Sequence, residues 1–356
     1  MKESSRNLAT RLDQLTAPAE LVLPQPDGSV RCTACAHRCL VLPDKRGICQ
    51  VRFHDGKGLR VPWGYVAGLN ADPVEKKPFY HFLPGSIALT FGMLGCDFHC
   101  NFCQNWLSSQ TLRDPASDES AYYIRKVSPE GIVQAAQRAG AQVIASSYNE
   151  PLITSEWAIA IFKLAVPLGI KCVYVSNGNA TPEVLAALRP WLSGMKIDLK
   201  SMQDRYYRQL GGVLKNVLDT IQRVRDMGIW LEVVTLVVPG FNDSTQELWD
   251  ISRYLVSVSP DIPWHVTAFH SDYHMQDTPN TPAKTLLQAA DIGREAGLRY
   301  VYAGNLPGRV DEYETTFCPH CRSKLVERSG FYVRTNLLKV DGKCRICATL
   351  ISGVWS

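Results

Sequence analysis

The sequence lacks long apolar runs and blocks of like charge, and both absences limit the classes of protein to consider. It has no stretch of about twenty consecutive apolar residues, so we expect no membrane-spanning helix and no membrane partner. The N-terminal stretch MKESSRNLATRLDQLTAP lacks the apolar core of a signal peptide, which predicts a cytoplasmic protein. The net charge of +4 is not concentrated in any run, so nucleic acid is not favoured as a partner.

The overall composition is that of an ordinary globular protein. Hydrophobic residues make up 46% and charged residues 20% of the 356 residues, which excludes a disordered or fibrous chain. This length is enough for one large domain with small appended segments.

Twelve cysteines are present, and eleven of them fall into three groups. The cytoplasm keeps thiols reduced, so the groups indicate metal sites rather than disulfides. Cys172 stands alone in the apolar run CVYV and is expected to be a small core residue. The groups are Cys32, Cys35, Cys39 and Cys49; Cys96, Cys100 and Cys103; and Cys318, Cys321, Cys344 and Cys347.

From about residue 86, short apolar runs alternate with segments of helical periodicity, which predicts βαβ units around a parallel sheet. The helical segments SPEG and TPEV open with a capping residue, proline and glutamate. We therefore expect an α/β fold, a partial (β/α)6-type TIM barrel with small Cys-rich metal-binding segments at both ends. The expected division is a helical extension (1–21), a Cys-rich segment and linker (22–85), the barrel (86–309) and a metal-binding segment (310–356).

The first apolar run of the barrel leads into LGCDFHCNFC, where Cys96, Cys100 and Cys103 lie close together with no fourth cysteine nearby. A structural zinc site requires four ligands, and His99 is the candidate for the fourth. The alternative is an iron–sulfur cluster held by three thiolates, with one iron left open to a small chelating molecule.

This C-x3-C-x2-C loop resembles the signature of the radical S-adenosylmethionine (SAM) superfamily. Phe102 fills the aromatic position before the third cysteine. The resemblance implies a [4Fe–4S] cluster on these three cysteines, with SAM chelating the open iron. It further implies reductive cleavage of SAM to a 5′-deoxyadenosyl radical, which abstracts a hydrogen from a substrate.

Later motifs resemble those of the glycyl-radical-enzyme activases and imply further SAM-binding residues. YNEP stands where the superfamily often has Gly-Gly-Glu-Pro, a loop that receives the SAM amino group. Both glycines are replaced here. The implied SAM-binding residues are Phe102, Asn149, Glu150, Ser176, Asn177, Asp198, Lys200 and His270, and the implied catalytic residues are Lys200 and His270.

Simpler structural roles remain open for several of these residues. Glu150 is also placed to cap the helix after Pro151. Asp198 and Lys200 are placed to form a local ion pair, and His270 can be a purely structural residue at the end of a strand. Val175 replaces the aspartate that precedes Thr-Asn-Gly in the activases, so the contacts made by that aspartate are not expected here.

The order of motifs along nearly the whole chain resembles the radical enzyme of the AmmeMemoRadiSam system. The series is C-x2-C-x3-C, EKKPFYHFLPGS, LGCDFHCNFCQNW, YNEP, GNLPG and a pair of CxxC motifs before SGVW. This resemblance implies Memo-type and AMMECR-type proteins as partners, and an electron donor such as flavodoxin or ferredoxin.

The remaining two cysteine groups leave the metal open. CPHC and CRIC are spaced like a zinc ribbon or a rubredoxin-like site, with a redox iron or auxiliary cluster as the alternative. CTACAHRC with Cys49 suits either zinc, with His37 as a spare ligand, or a second cluster. Its spacing differs from the compact ferredoxin pattern, which favours zinc. Between these regions, EKKPFYHFLPGS is either a substrate wall carrying Lys76 and Lys77 or a linker that packs its aromatic residues on the barrel.

Two classes of function follow. The first is a radical SAM enzyme acting on a protein glycine, a peptide or a small molecule. The alternative is a metal-stabilised nucleic-acid-binding or RNA-modifying protein, in which basic residues near the C-terminal cysteines contact phosphates.

Overall fold

The structure is a computed structural model that describes residues 3–356, with side chains from Asn7 onward. The first two residues of the expected N-terminal extension lie outside it. The strands are β1 (Thr16–Pro18), β2 (Val22–Pro24), β3 (Val30–Cys32), β4 (Leu40–Val41), β5 (Phe53–His54), β6 (Leu59–Pro62), β7 (Tyr65–Val66), β8 (Gly68–Pro73), β9 (Ile87–Gly92), β10 (Arg125–Lys126), β11 (Val143–Ser146), β12 (Lys171–Ser176), β13 (Gly194–Asp198), β14 (Trp230–Val237), β15 (Trp264–Ala268), β16 (Val301–Gly304), β17 (Thr316–Phe317), β18 (Lys324–Ser329) and β19 (Tyr332–Asn336). The α-helices are α1 (Glu3–Asp13), α2 (Trp106–Ser109), α3 (Pro129–Arg138), α4 (Ser155–Ala165), α5 (Pro182–Leu188), α6 (Asp204–Gln209), α7 (Leu214–Asp226), α8 (Thr245–Val258) and α9 (Ala283–Glu295).

An eight-stranded sheet forms the centre of the fold, in the order β16-β15-β14-β13-β12-β11-β9-β8. All neighbouring strands from β9 to β16 in this sheet pair in parallel, and their helices cover the outside. The predicted partial TIM barrel is therefore confirmed. Strands such as β11 and β15 are buried throughout, as expected for parallel strands covered on both faces.

The helix starts predicted from the sequence are confirmed at two positions. The hydroxyl of Ser128 accepts a hydrogen bond from the Gly131 N–H, and the hydroxyl of Thr181 accepts one from the Val184 N–H. Each bond satisfies one of the free N–H groups at a helix start.

Strand β8 extends the sheet beyond the expected start of the barrel at residue 86. It pairs antiparallel with β9 over six residues, from Gly68 opposite Gly92 to Pro73 opposite Ile87. Its mixed sequence GLNADP is half-exposed and lacks the apolar run that identifies the buried parallel strands.

The segment before the barrel folds into two small sheets, β1-β6-β5 and β2-β3-β4. It is joined to helix α4 by a bidentate ion pair in which Arg52 contacts Glu156 at 2.9 and 2.7 Å. Both side chains are almost fully buried, at 2% and 3% exposure. Removing one partner of such a pair leaves an unpaired buried charge, so this contact fixes the segment to the barrel.

Residues 74–85 close the end of the barrel opposite the strand ends that lead to the cysteine loop. The Glu232 carboxylate accepts hydrogen bonds from the backbone N–H groups of Tyr80 and His81 at 3.0 and 2.9 Å. Phe79 and Phe82 are fully buried in an apolar cluster with β9, β11 and β12 side chains. The prediction that this linker packs its aromatic residues on the barrel therefore agrees with the structure.

The C-terminal segment forms the sheet β17-β18-β19 and packs against this closed end. Arg328 lies at the joint, donating to the Tyr80 carbonyl at 2.7 Å and contacting Glu75 at 3.5 Å. His81 joins the same interface, with Nδ1 donating to the Ser352 carbonyl at 2.7 Å and Nε2 within 2.6 Å of the Tyr302 hydroxyl.

One stretch, residues 151–168, is long and apolar enough to cross a membrane, in contrast to the sequence-based expectation. However, 67% of it is buried inside the protein. It includes helix α4, whose apolar side chains pack into the core of the barrel.

Candidate active site at the mouth of the barrel

A cavity of about 410 Å³ opens inside the barrel beside the three-cysteine loop, a volume typical of small-molecule sites. Its wall combines loop residues with the inward-facing residues of β12 to β15. The residues that bear on function are Lys76, Lys77, Cys100, Phe102, Cys103, Tyr148, Lys196, Asp198, Lys200 and Asn305.

Asp97 holds the three-cysteine loop over the end of β12. Its buried carboxylate accepts hydrogen bonds from the side-chain amides of Asn177 at 2.7 Å and Asn179 at 2.8 Å. The adjacent Cys96 sulfur accepts from the Phe98 N–H at 3.4 Å. Sequence reasoning missed Asp97, because its partners come from a loop eighty residues away.

Burial raises the pKa of all three loop thiols, to about 12 at Cys100. Metal ligation requires the thiolate, so metal binding at this loop is coupled to the loss of protons. For Cys103, the Ser109 hydroxyl lies 3.1 Å from the sulfur and opposes the effect of burial.

The spacing of the sulfurs bears on what this loop would hold. A zinc ion at 2.3 Å from four sulfurs places them about 3.8 Å apart. In the part of the chain that the structure describes, only one group of three or more Cys, His, Asp or Glu residues has all its ligand atoms within 4.8 Å of one another. That group is the set of four C-terminal cysteines. The loop sulfurs are more widely spread. This is less compact than the arrangement around a single ion, and wider spacing is expected where separate irons of a cluster each take one thiolate. His99, the alternative fourth ligand, is exposed, with its ring against Gly211.

Asp198 lies between two lysines at the end of β13. Its carboxylate is bonded to Lys196 Nζ and lies 3.1 Å from Lys200 Nζ. Burial opposes ionisation of Asp198, but the two ammonium groups outweigh it and lower the pKa to about 2. Lys200 Nζ is also 6.0 Å from the centre of the Phe102 ring, which links this charge cluster to the cysteine loop. The local ion pair considered from the sequence is therefore present, and it lines the cavity.

Three donors hold the Glu150 carboxylate in place. Oε1 accepts from the Ser176 hydroxyl at 2.7 Å and the Leu152 N–H at 3.1 Å, and Oε2 accepts from the Asn177 N–H at 2.8 Å. A carboxylate has about four acceptor positions, so one stays open to a further donor. Burial raises the pKa of Glu150 to about 8, and the charge of Asp97 adds to that effect.

Asn149 and His270 occupy different surroundings from those of the cavity wall. Asn149 Oδ1 accepts from the Met93 N–H at 3.0 Å and so joins the loop after β11 to the end of β9. His270 is exposed beyond β15, with Nδ1 3.4 Å from the Ser271 carbonyl. Neither residue is part of the cavity wall. Their SAM-binding roles stay predictions.

The sequence assigns no separate role to Tyr148, the first residue of YNEP. Its φ is 72°, a left-handed conformation that glycine adopts without strain. Glycine is the residue at this position in the Gly-Gly-Glu-Pro motif. Its ring lies over Gly68 and Gly92, and a Cβ on Gly92 would lie 2.8 Å from the Tyr148 Cβ. The Tyr148 hydroxyl contacts Lys77 Nζ at 3.3 Å, so this strained residue places its ring in the cavity wall.

Lys76 and Lys77 face the cavity from residues 74–85. Both bond the Asp72 carboxylate, at 3.0 and 3.3 Å. Lys77 is buried to 4% exposure, and its Nζ lies 4.9 Å from the centre of the Tyr148 ring. The part of the segment with Lys76 and Lys77 therefore lines the cavity, and the aromatic part packs on the barrel as a linker; a substrate-binding role of the lysines stays a prediction.

The C-terminal cysteines form a compact four-sulfur site. Cys318 and Cys347 sulfurs are 3.5 Å apart, and those of Cys321 and Cys344 are 3.7 Å apart. These distances match the edge of a tetrahedron around one metal ion.

Comparisons with known proteins identify the family. Residues 91–254 match the model of the Radical SAM superfamily. An uncharacterized protein of Methanocaldococcus jannaschii is 37% identical over 328 residues, covering 91% of this chain and 96% of that protein. The chain belongs to the radical SAM superfamily.

Two solved structures resemble parts of the chain. A radical SAM methyltransferase from Sphaerobacter thermophilus is 14% identical, with a TM-score of 0.48, covering 86% of this chain and 82% of that chain. A domain of pyruvate-formate lyase-activating enzyme from Bacteroides vulgatus is 20% identical, with a TM-score of 0.40, covering 45% of this chain and 98% of the domain.

Family membership means that this radical SAM protein is an enzyme that cleaves SAM at an iron–sulfur cluster. These matches give no support to the alternative of a nucleic-acid-binding protein, and they do not identify a partner protein.

Proposed function

We propose that Cys96, Cys100 and Cys103 hold a [4Fe–4S] cluster, and that a hydrogen is abstracted from a substrate bound inside the barrel. The observation that carries this proposal is the cavity of about 410 Å³ with Cys100 and Cys103 in its wall beside Asp198 and Lys200. When bound, the cluster supplies the electron that cleaves SAM to methionine and a 5′-deoxyadenosyl radical.

The residues at the loop end of the cavity would bind SAM. The Lys200 ammonium is suited to the methionine carboxylate, because its pKa is raised by Asp198 despite the opposing effect of burial. Asp198 is ionised at neutral pH and is suited to the ribose hydroxyls. The open acceptor position of Glu150 would take the amino group, whose positive charge would oppose the rise in the pKa of this buried carboxyl group, while Ser176 and Asn177 hold it in place.

The opposite end of the cavity would bind the substrate. Lys76, Lys77 and Lys196 bring positive charge into or next to a partly dry space, and Asp72 and Asp198 offset it only in part. Such a site favours a substrate with a carboxylate or phosphate group. A protein glycine is compatible with the activase resemblance, but a cavity of about 410 Å³ favours a small molecule or a peptide end.

Three further assignments belong to the same proposal. The four C-terminal sulfurs would hold zinc as a structural ion, since closing this segment by a metal stabilises a piece too small for its own large core. The electron would come from flavodoxin or ferredoxin in the cytoplasm. Memo-type and AMMECR-type proteins are the candidate partners to test.

The SAM assignment is tested by electron paramagnetic resonance of the reconstituted, dithionite-reduced protein with and without SAM. We expect the cluster signal to change on SAM addition, and the change to require much more SAM in Lys200→Met. Superimposable spectra with and without SAM, from a protein with full iron content, would contradict it.

The charge assignment is tested with small-molecule extract fractions separated on an anion-exchange column. We expect the retained fraction to stimulate 5′-deoxyadenosine formation by the parent protein and much less by Lys77→Met. Stimulation confined to the unretained fraction would show that the substrate is not anionic.

A further inference from the structure

The four cysteines before the barrel lie outside the cavity, as the four C-terminal cysteines do, and they are candidate metal ligands. Cys32, Cys35 and Cys49 are each 6% exposed, Cys39 is half-buried, and all four are free thiols. They are brought together by local structure, because the Cys32 N–H bonds the Cys39 carbonyl at 2.9 Å across β3 and the following turn. Three buried thiols and one half-buried thiol in one group suit metal ligation.

Backbone N–H groups point at sulfurs of this group. The Cys39 sulfur accepts from the Ile48 N–H at 3.4 Å. The Cys49 sulfur lies near the N–H groups of Val51 and Arg52. The same kind of N–H contact is made to Cys96 in the three-cysteine loop and to Cys344 in the C-terminal site, both at 3.4 Å.

Arg52 supplies positive charge beside the four sulfurs. Its guanidinium is fully buried, and its electrostatic neighbours include Cys32 and Cys49 as well as the Glu156 carboxylate. Among the side chains that the structure describes, Arg52 Nε is a buried donor without a hydrogen-bond partner. A group of thiolates carrying net negative charge would stabilise this arginine.

The four sulfurs are less compactly grouped than those of the C-terminal site. The Cys32 thiol is an electrostatic neighbour of Cys35, Cys39 and Cys49, so the set is one group. Yet no three of these sulfurs lie within 4.8 Å of one another, whereas all four C-terminal sulfurs do. The C-terminal cysteines therefore form a compact set suited to one ion. The N-terminal group and the three-cysteine loop are both more widely spaced.

The four-cysteine group lies directly against that loop. His37 Nε2 is 3.1 Å from the Asp97 carbonyl, which joins the two segments. A Cβ on Gly95 would lie 2.8 Å from a Val51 methyl and 3.2 Å from the Cys49 carbonyl, so the two cysteine-bearing segments are in van der Waals contact.

We propose that Cys32, Cys35, Cys39 and Cys49 bind a second iron–sulfur cluster adjacent to the three-cysteine loop. This differs from the zinc site that the sequence spacing favours. The wide sulfur spacing and the contact with the loop carry the inference, which does not depend on SAM cleavage.

The test is the metal and sulfide content of anaerobically reconstituted protein, compared with a Cys96→Ala/Cys100→Ala/Cys103→Ala variant. We expect the parent to bind about eight irons and one zinc if each cluster has four irons. The triple variant should keep about half of the iron and sulfide, together with the zinc. A parent with four irons and two zincs, or a triple variant without iron, would overturn the proposal.

A second readout separates this proposal from the assignment of the loop cluster. The reduced parent should show a broadened resonance spectrum from two interacting clusters, and the triple variant a simple spectrum that does not respond to SAM. Cys39→Ser, which alters the most exposed ligand, should change the simple spectrum of a protein that also carries the triple substitution. Two non-interacting signals, or no effect of Cys39→Ser, would contradict the adjacent site. A triple variant that retains the full iron content and responds to SAM would instead refute the loop assignment.

Discussion

Asp198 gives the sharpest test of the charge arrangement in the cavity. Its contacts with Lys196 and Lys200 lower the pKa from 3.8 to about 2. One pKa unit corresponds to about 1.4 kcal/mol. A shift of this size would therefore add about 2.5 kcal/mol to the free energy of unfolding if none of it were screened by solvent. The side chain is 30% exposed, and solvent screening reduces the expected contribution to about 2 kcal/mol.

Asp198→Asn keeps the shape of the side chain and removes its charge, leaving two lysines that repel each other. We expect the free energy of unfolding in urea at pH 7 to fall by about 2 kcal/mol. Since the folded-state pKa lies below the unfolded one, the contribution is fully present above about pH 4 and is lost as the pH falls toward 2. The difference between parent and variant should therefore shrink below about pH 4.

A matched control is Asp72→Asn, because Asp72 also pairs with two lysines but at the other end of the cavity. We expect Asp198→Asn to raise the Kd for SAM roughly tenfold, the equivalent of about 1.4 kcal/mol, and Asp72→Asn to leave it unchanged. Parent-like stability and SAM affinity in Asp198→Asn would refute the reasoning, as would an equal loss of affinity in both variants.

Three further predictions concern how the segments are held on the barrel. Glu156→Gln should lower the free energy of unfolding by about 3–5 kcal/mol, because it leaves Arg52 buried and unpaired. The Arg52→Met/Glu156→Met double variant should lose much less stability. Equal losses in urea titrations would contradict this. Cys318→Ala should remove one equivalent of zinc and speed proteolysis of residues 310–356, and an unchanged zinc content would refute the site. Burial lowers the pKa of His81 from 6.5 to about 4. The free energy of unfolding should therefore fall as the pH drops from 6.5 toward 4, with a loss of about 2 kcal/mol at pH 5. A parent-like pH profile in His81→Leu would count against this.

The sequence predicts the barrel well because its signals are local. Seven apolar runs correspond to the seven parallel strands, and the caps at Ser128 and Thr181 mark helix starts. Parallel strands end on one side of the sheet, so the sequence also places Asp198 and Lys200 near the cysteine loop.

Other parts of the site depend on contacts between distant segments and have no local signal. Lys77 reaches the cavity because residues 74–85 are fixed to the closed end of the barrel by Glu232. Tyr148 fits only because Gly68 and Gly92 leave room for its ring. Asp97 is recognisable as a positioning residue only when the loop after β12 is folded against it.

The spacing of cysteines in the sequence also does not give the spacing of sulfurs in space. The N-terminal group contains a CxxC motif like those of the C-terminal site, yet its sulfurs are spread apart while the C-terminal ones are compact. The backbone between the cysteines, such as Arg38 with φ 47°, determines where each sulfur points.

The central claim is that SAM is cleaved at the cluster held by the three-cysteine loop. Its most direct test is an anaerobic assay for 5′-deoxyadenosine with reconstituted protein, dithionite and SAM, comparing the parent with the Cys96→Ala/Cys100→Ala/Cys103→Ala variant. We predict product from the parent and none from the variant, even though the variant retains iron at the other cysteines. Equal product from both proteins would contradict the assignment of the loop.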